Sequence, residues 1–425
     1  MNKEIQERIN VVQGGSIPKG YKKVRHMLFP DDWGDPVALN TVLTENKERN
    51  EELKFDKDDV LSVSGEHGVV NQIELLGRSY AGESVEPYRV VNTGDIVYTK
   101  SPLKQNPHGI IKMNKGKPGI VSTLYAVYHC NNCTTAQYLE NYFYIDSYLN
   151  NYLKPLVKRG AKNDMKVNNE DVLAGVIPLP TIKEQEKINA IIAHLDKIIE
   201  LKQKTIRENR KKVKWLLKEF FDINSSTCYL ELKCSEWENV ALGNVCTMFS
   251  GGTPKSSNED YYENGTIPFI RSGEISEEQT ELYLTEEGYK NCSAKKVIKG
   301  DILYALYGAN SGECALSKID GAINQAILCI RTNSLNKKFL YYALINKKDE
   351  IVSTYLQGGQ GNLSADIIKK ICINVPNDKK VQDKIVSIIE ANENEIFSLE
   401  KELLEWKRKK KSISQLLLTG IVRIK

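Results

Sequence analysis

Two stretches of the chain carry apolar residues at every third or fourth position and contain neither glycine nor proline. The first runs from residue 183 to 221, and the second follows Pro376. This spacing is typical of amphipathic helices with a heptad-like apolar seam. It predicts two helices of about forty residues, each about 60 Å long at 1.5 Å per residue. Pro180 and Pro376 follow β-like sequence and mark the junctions between domain and helix.

The apolar seam of each predicted helix needs a partner, and the other helix is the nearest candidate. We therefore expect the two helices to pack against each other as an antiparallel coiled coil, with Ile188, Ile192 and Leu195 in the seam rather than at an interface with another protein. An ordinary helical hairpin is the alternative. It is disfavoured because each helix follows a complete copy of a domain.

The chain repeats itself with an offset of about 200 residues. The repeated landmarks keep their order: Trp33 and Trp237, Gly94–Tyr98 and Gly300–Tyr304, Tyr138-Leu139 and Phe339-Leu340, Asn163 and Asn362, and Pro180 and Pro376. A period of this length is far longer than a solenoid unit, so it indicates two tandem copies of one domain plus helix. Such copies, related by a pseudo-twofold axis, carry two similar binding surfaces and suit a two-sided target such as duplex DNA.

Each copy is predicted to be a mixed α/β (α+β) domain. Short β-branched runs such as Val90-Val91, Gly119–Val121 and Ile371–Ile373 alternate with turn signals. A helix near the end of each copy carries an aromatic stripe that is expected to lie in the core. The predicted boundaries are an N-terminal segment (1–32), a first domain (33–180), a central long helix (181–224), a second domain (225–378) and a distal long helix (379–425).

Composition agrees with two sizeable cores, since 41% of the 425 residues are apolar. The net charge of +4 does not by itself indicate nucleic-acid binding. However, residues 100–166 contain ten Lys or Arg against three acidic residues. A basic face of this kind suits phosphate contact, although a merely solvated surface is an equal alternative.

The chain lacks signals for export. It has no run of eighteen apolar residues, and its first ten residues are polar and charged. Nine cysteines at irregular spacing favour free thiols over a disulfide framework. These features predict a cytoplasmic protein.

Catalytic signatures are missing from the sequence. Gly251–Lys255 lacks the spacing of a phosphate loop, and there is neither a G-x-S-x-G nor an H-E-x-x-H motif. His129-Cys130-x2-Cys133 has no second pair of potential zinc ligands at matching distance. We therefore predict no catalytic residue, metal or cofactor in this chain.

An ordered set of motifs resembles the specificity subunit of type I restriction–modification systems. The set consists of Trp237 with Leu242-Gly243, Gly251-Gly252-Thr253-Pro254, Gly300–Leu303, Gly358–Ser364, Val375-Pro376 with a long helix, and the terminal Gln415–Gly420. The resemblance covers residues 33–425 and is strongest in the second copy. The first copy lacks the Gly-Gly-Thr-Pro loop, as expected if the two domains read different bases.

The resemblance implies a non-catalytic subunit whose two target-recognition domains read the halves of a split DNA site. It also implies that the helices dock two adenine methyltransferase subunits, that motor-nuclease subunits join them, and that these partners bind S-adenosylmethionine, ATP and Mg²⁺. A recognition subunit of a related bipartite-site system is one alternative. A two-domain scaffold that binds no DNA is another, and strong salt dependence of DNA binding would argue against it.

Base reading requires paired donors and acceptors on loops. The candidates in the first domain are Ser64, His67, Lys100, Ser101, Arg159 and Lys162. Those in the second domain are Thr253, Lys255, Arg271, Ser272, Tyr307, Asn310, Ser311, Gln360 and Asn362. For each position, an exposed loop residue without DNA contact is the alternative.

Overall fold

The structure is a computed structural model that describes residues 3–101, 103, 105–159, 165–222, 236–356 and 362–424. The chain divides into two compact units. The first unit consists of residues 1–203 together with 402–425, and the second of residues 204–401. The first unit is therefore built from both ends of the chain.

The first half of the chain contains short strands and helices followed by one long helix. In order these are α1 (Lys3–Gln13), β1 (Tyr21–Val24), β2 (Met27–Pro30), β3 (Val37–Ala38), β4 (Leu43–Glu45), β5 (Leu61–Ser64), β6 (Gly68–Asn71), α2 (Gln72–Leu76), β7 (Arg89–Val91), β8 (Ile96–Thr99), β9 (Ile110–Met113), β10 (Gly119–Val121), β11 (Tyr125–Cys130), α3 (Ala136–Phe143), α4 (Asp146–Leu153), β12 (Lys158–Arg159), β13 (Met165–Lys166), α5 (Asn169–Val172), β14 (Val176–Ile177) and α6 (Ile182–Phe221).

The second half follows the same plan. Its elements are β15 (Trp237–Ala241), α7 (Leu242–Val245), β16 (Cys246–Ser250), β17 (Ile267–Ile270), β18 (Tyr283–Leu284), α8 (Glu286–Lys290), β19 (Lys295–Val297), β20 (Ile302–Ala305), β21 (Cys314–Leu316), β22 (Gly321–Ile323), β23 (Ile327–Thr332), α9 (Lys337–Tyr355), α10 (Ala365–Lys370), β24 (Cys372–Pro376) and α11 (Lys379–Leu418).

A four-stranded antiparallel sheet lies at the centre of each domain. Its order is β4-β11-β8-β9 in the first unit and β16-β23-β20-β21 in the second. The strands that follow the two Gly-Asp motifs, β8 and β20, are buried at all four positions. Their side chains alternate between two apolar layers, because successive residues of a strand point to opposite faces. The sequence repeat is thus a repeat of sheet topology.

A second, two-stranded sheet joins the beginning of each domain to its end. In the first unit β14 pairs antiparallel with β3, and in the second β24 pairs antiparallel with β15. In the second unit Trp237 lies opposite Pro376. Pro180 follows β14, and Pro376 ends β24. Proline has no backbone N–H to donate to a ladder, and each long helix begins within three residues of its proline.

The aromatic stripe at the end of the first copy differs from the prediction in one respect. Its residues are buried as expected, but they lie on two helices, α3 and α4, rather than on one. Ile145 interrupts the helix with an extended backbone (φ −83°, ψ 108°). The turn brings the Tyr152 ring to 4.9 Å from the Phe143 ring, so aromatic packing favours the break. The second copy has a single helix, α9.

The long helices α6 and α11 have forty residues each and pack in opposite directions within the first unit. They are joined by ion pairs of Asp196 with Lys410 and of Lys202 with Glu402. Glu184 of α6 pairs with Arg423, which lies beyond the end of α11. Ile188 and Ile192 are buried, but their cluster includes domain residues as well as Leu417 and Leu418 of α11. They therefore face the domain core in addition to the predicted seam.

The same packing recurs in the second unit. Leu216 and Phe220 of α6 share a cluster with Ile385 and Ile389 of α11 and with the domain residue Phe339. The predicted fold class, a mixed α/β chain with tandem domains and two long helices that pack together, is confirmed.

The described residues include neither a helix that could span a membrane nor a cluster of metal ligands. No helix there is long and apolar enough to cross a membrane. Seven cysteines of that part of the chain are free thiols. No group of three or more His, Cys, Asp or Glu side chains within it could hold a metal ion. His129, considered as a zinc ligand, lies 2.5 Å from Asp95 instead.

Candidate nucleic-acid interface

The Gly-Gly-Thr-Pro loop of the second unit follows β16 and packs tightly against the end of β22. A Cβ atom on Gly251 would lie 1.7 Å from the carbonyl oxygen of Ile323, and one on Gly252 would lie 2.0 Å from Ser293 Oγ. Only glycine fits such close approaches. The loop presents Thr253 at the surface, where its hydroxyl donates to Gln325 Oε1 at 2.5 Å.

Arg271 stands at the end of β17, held by two glutamates. Its Nε and Nη2 atoms donate to the two carboxylate oxygens of Glu274 at 3.1 Å each, and Nη2 also lies 2.5 Å from Glu281. The hydrogen bonds that Arg271 donates to these carboxylates raise its pKa further above its usual range. Any contact with a guanine edge would therefore compete with Glu274 and Glu281.

A cleft of about 560 Å³ brings two of the predicted residues together. Thr253 and Arg271 line it, with Asn324, Tyr262 and Phe269 among the other lining residues. Asn324 and its neighbour Gln325 did not enter the predicted set. They form an amide pair between β22 and β23, and amides are the side chains that suit adenine. The two adjacent amides are visible in the sequence and could have identified this turn as a candidate for base contact.

A second group of predicted residues gathers beside the cleft. The Nδ2 atom of Asn310 lies 3.5 Å from the Cβ position of Gly273, so the turn after β20 meets the loop of Arg271 and Ser272. Leu363 N donates to Leu306 O at 3.0 Å, which places Asn362 beside Tyr307. The hydroxyl of Ser311 donates a hydrogen bond to Leu306 O at 3.4 Å. Lys255 is exposed two residues after Thr253, and Gln360 lies outside the described residues.

In the first unit, two of the three predicted groups lie next to each other. Ser64 and His67 form the turn between β5 and β6, where Ser64 Oγ accepts from the backbone N–H groups of Glu66 and His67. The Cβ position of Gly65 lies 3.9 Å from Leu103, in the loop that begins with Lys100 and Ser101. His67 and Ser101 are exposed. Burial lowers the pKa of Lys100, with a further contribution from the charge of Arg89.

The third predicted group of the first domain is only partly described. The backbone of Arg159 pairs with Met165 in the β12–β13 ladder. Lys162 lies between these strands and outside the described residues.

The predicted basic face of residues 100–166 is only in part a free surface. Lys112 is buried at 8% exposure, and burial lowers its pKa. Lys115 lies 2.5 Å from the carboxylate of Glu140. The Nζ atoms of Lys112 and Lys410 lie 5.4 and 4.3 Å from the centre of the Tyr144 ring, as in cation–π contacts. These lysines stabilise the domain–helix junction rather than offering charge to a phosphate.

The two Gly-Asp motifs have a structural role in this interface. Asp95 and Asp301 are buried, and each accepts the backbone N–H of the residue three positions earlier. Asp95 lies 2.5 Å from His129, whereas Asp301 accepts two hydrogen bonds from Arg331. The motifs thus brace the first residues of β8 and β20, from whose far ends the candidate loops leave.

This fold is that of subunits of type I restriction–modification systems. A chain in a solved structure concerned with complex assembly and conformational transition of the type I R-M system superimposes with a TM-score of 0.60, at 18% identity, over 96% of this chain and 100% of that one. Residues 234–405 match the family described as the type I restriction modification DNA specificity domain.

The curated relatives of this chain are specificity subunits of type I restriction enzymes. The MjaVIII specificity subunit of Methanocaldococcus jannaschii is 29% identical over 96% of this chain and 97% of its own length. The putative MjaX specificity subunit of the same organism is 26% identical over 81% of each chain. The resemblance found in the sequence is confirmed, and the chain is a relative of the type I restriction enzyme specificity subunits. These relatives are specificity components rather than catalytic ones, in agreement with the prediction that this chain is not itself an enzyme.

Proposed function

We propose that this chain selects the DNA sequence for a type I restriction–modification complex, and that its two domains each read one half of a split site. The observation that carries the proposal is the doubled interface. The same sheet order occurs twice, and in each unit candidate donors and acceptors lie on neighbouring loops beside that sheet. Two weak readers joined by a stiff spacer bind tightly only when both half-sites fall at the required distance.

The proposed division of labour follows the predicted boundaries. Residues 33–180 and 225–378 are the recognition domains, residues 181–224 and 379–425 the helices that separate them, and residues 1–32 an N-terminal segment. The candidate contacts with DNA are the residues named above. Two adenine methyltransferase subunits dock on this chain, and motor-nuclease subunits join them. S-adenosylmethionine, ATP and Mg²⁺ bind to those partner subunits. The methyltransferase subunits also supply the pocket into which the target adenine is flipped.

The first test is the sequencing of methylated adenines in DNA from cells that express this chain with and without the methyltransferase of its system. We expect modification at one split motif, and only when both proteins are present. DNA binding should also weaken steeply with salt, because each neutralised phosphate releases counterions. An active methyltransferase that modifies no motif in the presence of this chain would overturn the proposal.

A sharper test addresses Arg271. Replacing it (Arg271→Ala) should relax base selection at one half-site at a cost of roughly 1–3 kcal/mol, the value of a good base contact. The other half-site and the assembly with methyltransferase should not change. Lys369→Ala is the matched control, since Lys369 pairs with Asp366 on α10 and does not line the cleft. Wild-type methylation specificity in Arg271→Ala would remove Arg271 from the interface.

A further inference from the structure

A buried glutamine stands at the start of each long helix. Gln185 is the fourth residue of α6, and Gln382 is the fourth residue of α11. Their exposed fractions are 0% and 2%. A buried amide is costly unless its donors and acceptors are satisfied, so its partners show which elements it holds together.

In the first unit the amide of Gln185 joins the start of α6 to the start of α3. Its Oε1 atom accepts from the backbone N–H of Thr135 at 3.0 Å and from the hydroxyl of Thr134 at 3.2 Å. Its Nε2 atom donates to the carbonyl oxygens of Pro180 at 2.9 Å and Cys133 at 3.4 Å. Thr135 is itself the N-cap of α3. Both donors and both lone pairs of the amide are therefore used.

In the second unit the amide of Gln382 makes the equivalent connection. Its Oε1 atom accepts from the backbone N–H of Asn336 at 2.8 Å, and its Nε2 atom donates to Pro376 O at 3.1 Å. Asn336 is the N-cap of α9. In both units the glutamine therefore links the proline before the long helix to the N-cap of the domain helix. We call these two connections the glutamine brackets.

We propose that Gln185 and Gln382 are positioning residues that fix the direction in which each recognition domain leaves its spacer helix, and so determine which half-site spacing the complex accepts. This inference rests on the proposed function. Each domain meets its helix at a proline, and the bracket holds both sides of that joint at once. A loosened joint lets the domain reach half-sites at more than one distance. The effective concentration of the second domain is then similar at several spacings rather than highest at one.

The test uses the full chain in complex with its methyltransferase subunits. Methylation rates are measured on duplexes whose half-sites stand at the native spacing and at spacings one base pair shorter or longer. In Gln185→Met and Gln382→Met, the side chain keeps its length but loses its hydrogen bonds. We expect the ratio of native to displaced rates to fall at least about tenfold, a small part of the range that linked binding can span. Base preference within each half-site should not change, which separates positioning from reading.

Gln203→Met is the matched control, because Gln203 lies half-exposed on the same helix α6. Hydrogen exchange gives a second readout, since the amide protons of Thr135 and Asn336 should exchange faster in the respective variants. Should the methionine variants not fold, Thr134→Val removes only one of the four bonds of Gln185 and is judged by the same ratio. If the variants fold and keep the wild-type ratio of native to displaced rates, the proposed positioning role of the glutamine brackets is wrong. A wild-type complex that selects no split site overturns the proposed function instead.

Discussion

Asp95 and Asp301 occupy equivalent positions but have different partners. Tyr128 lies opposite Ile96 in one sheet and Ile330 opposite Ile302 in the other, so His129 and Arg331 occupy the same place. Burial raises the pKa of Asp95, and the hydrogen bonds from Asn92 and His129 only partly offset it. Burial also acts on Asp301, but the bonds from Arg331 and Ile298 outweigh it and hold that pKa below its usual value.

These shifts have opposite consequences for stability. A carboxyl whose pKa is lowered by folding stabilises the protein above its unfolded pKa of about 4, and this contribution is lost as the pH falls through the folded value. This is the case for Asp301. A carboxyl whose pKa is raised by folding contributes below the unfolded pKa, and its contribution is lost as the pH rises through the folded value. This is the case for Asp95.

The substitution His129→Arg should therefore stabilise the first unit at pH 7 by about 1 kcal/mol, because arginine stays charged and can bind a carboxylate with two hydrogen bonds. The gain should shrink as the pH falls through the raised folded pKa of Asp95, where this carboxyl takes up a proton. Urea unfolding followed by hydrogen exchange in peptides of each unit measures this. Arg331→His is the reciprocal control and should destabilise the second unit. An unchanged first unit in His129→Arg would contradict the assigned equivalence.

Among the secondary-structure elements, helix α11 carries one buried serine whose hydroxyl is unpaired among the described residues. Ser414 is 1% exposed, and its hydroxyl has no hydrogen-bond partner among the described residues. Ser414→Ala should raise the free energy of unfolding by about 1 kcal/mol, through relief of the unpaired hydroxyl and better helix propensity. Thermal unfolding measures the change. Ser412→Ala, at an exposed position of the same helix, supplies the propensity part alone. Equal effects at both positions would show that the hydroxyl of Ser414 finds a partner.

The elements differ in how well the sequence predicts them. The helices α6 and α11 follow from apolar spacing and flanking prolines, because that pattern is local. Strands β7, β10 and β24 follow from β-branched runs. Strand order does not follow, since pairing depends on contacts distant along the chain. The break at Ile145 and the role of Gln185 were missed for the same reason: both depend on neighbours that only folding supplies.

The candidate loops show the same limit. Glycine spacing located the loop of Thr253, but nothing local indicated that Glu274 and Glu281 would hold Arg271. Likewise Lys112 counted toward a basic face and proved to be buried. Charge along a sequence gives composition, whereas availability to a ligand depends on packing.

At the scale of the whole molecule, the last residues of the chain complete the first unit. Arg423 donates to both carboxylate oxygens of Glu184 and to Asp32, and Glu184 also accepts from the Trp33 indole at 3.1 Å. Tyr21 donates to Gly420 O at 2.5 Å. The N-terminal segment and the end of α11 therefore belong to one cluster.

We expect Arg423→Ala to destabilise the first unit by about 3 kcal/mol, because Glu184 is left as a buried and uncompensated carboxylate. Hydrogen exchange on the full chain should show lost protection near Trp33 and in the first turn of α6, with the second unit unaffected. Arg210→Ala removes an exposed pair with Glu400 and should cost less than about 1 kcal/mol. Loss of protection in the second unit instead would contradict the division into units.

The discontinuous first unit also has a consequence for biosynthesis. A ribosome makes residues 1–203 first, yet this part cannot acquire its final contacts until residues 402–425 have left the exit tunnel. The second unit is contiguous and its sequence is complete earlier. Nascent domains usually fold in the order in which they emerge. Here the order of completion is reversed, so the apolar surface of the part translated first stays uncovered until residues 402–425 have been made.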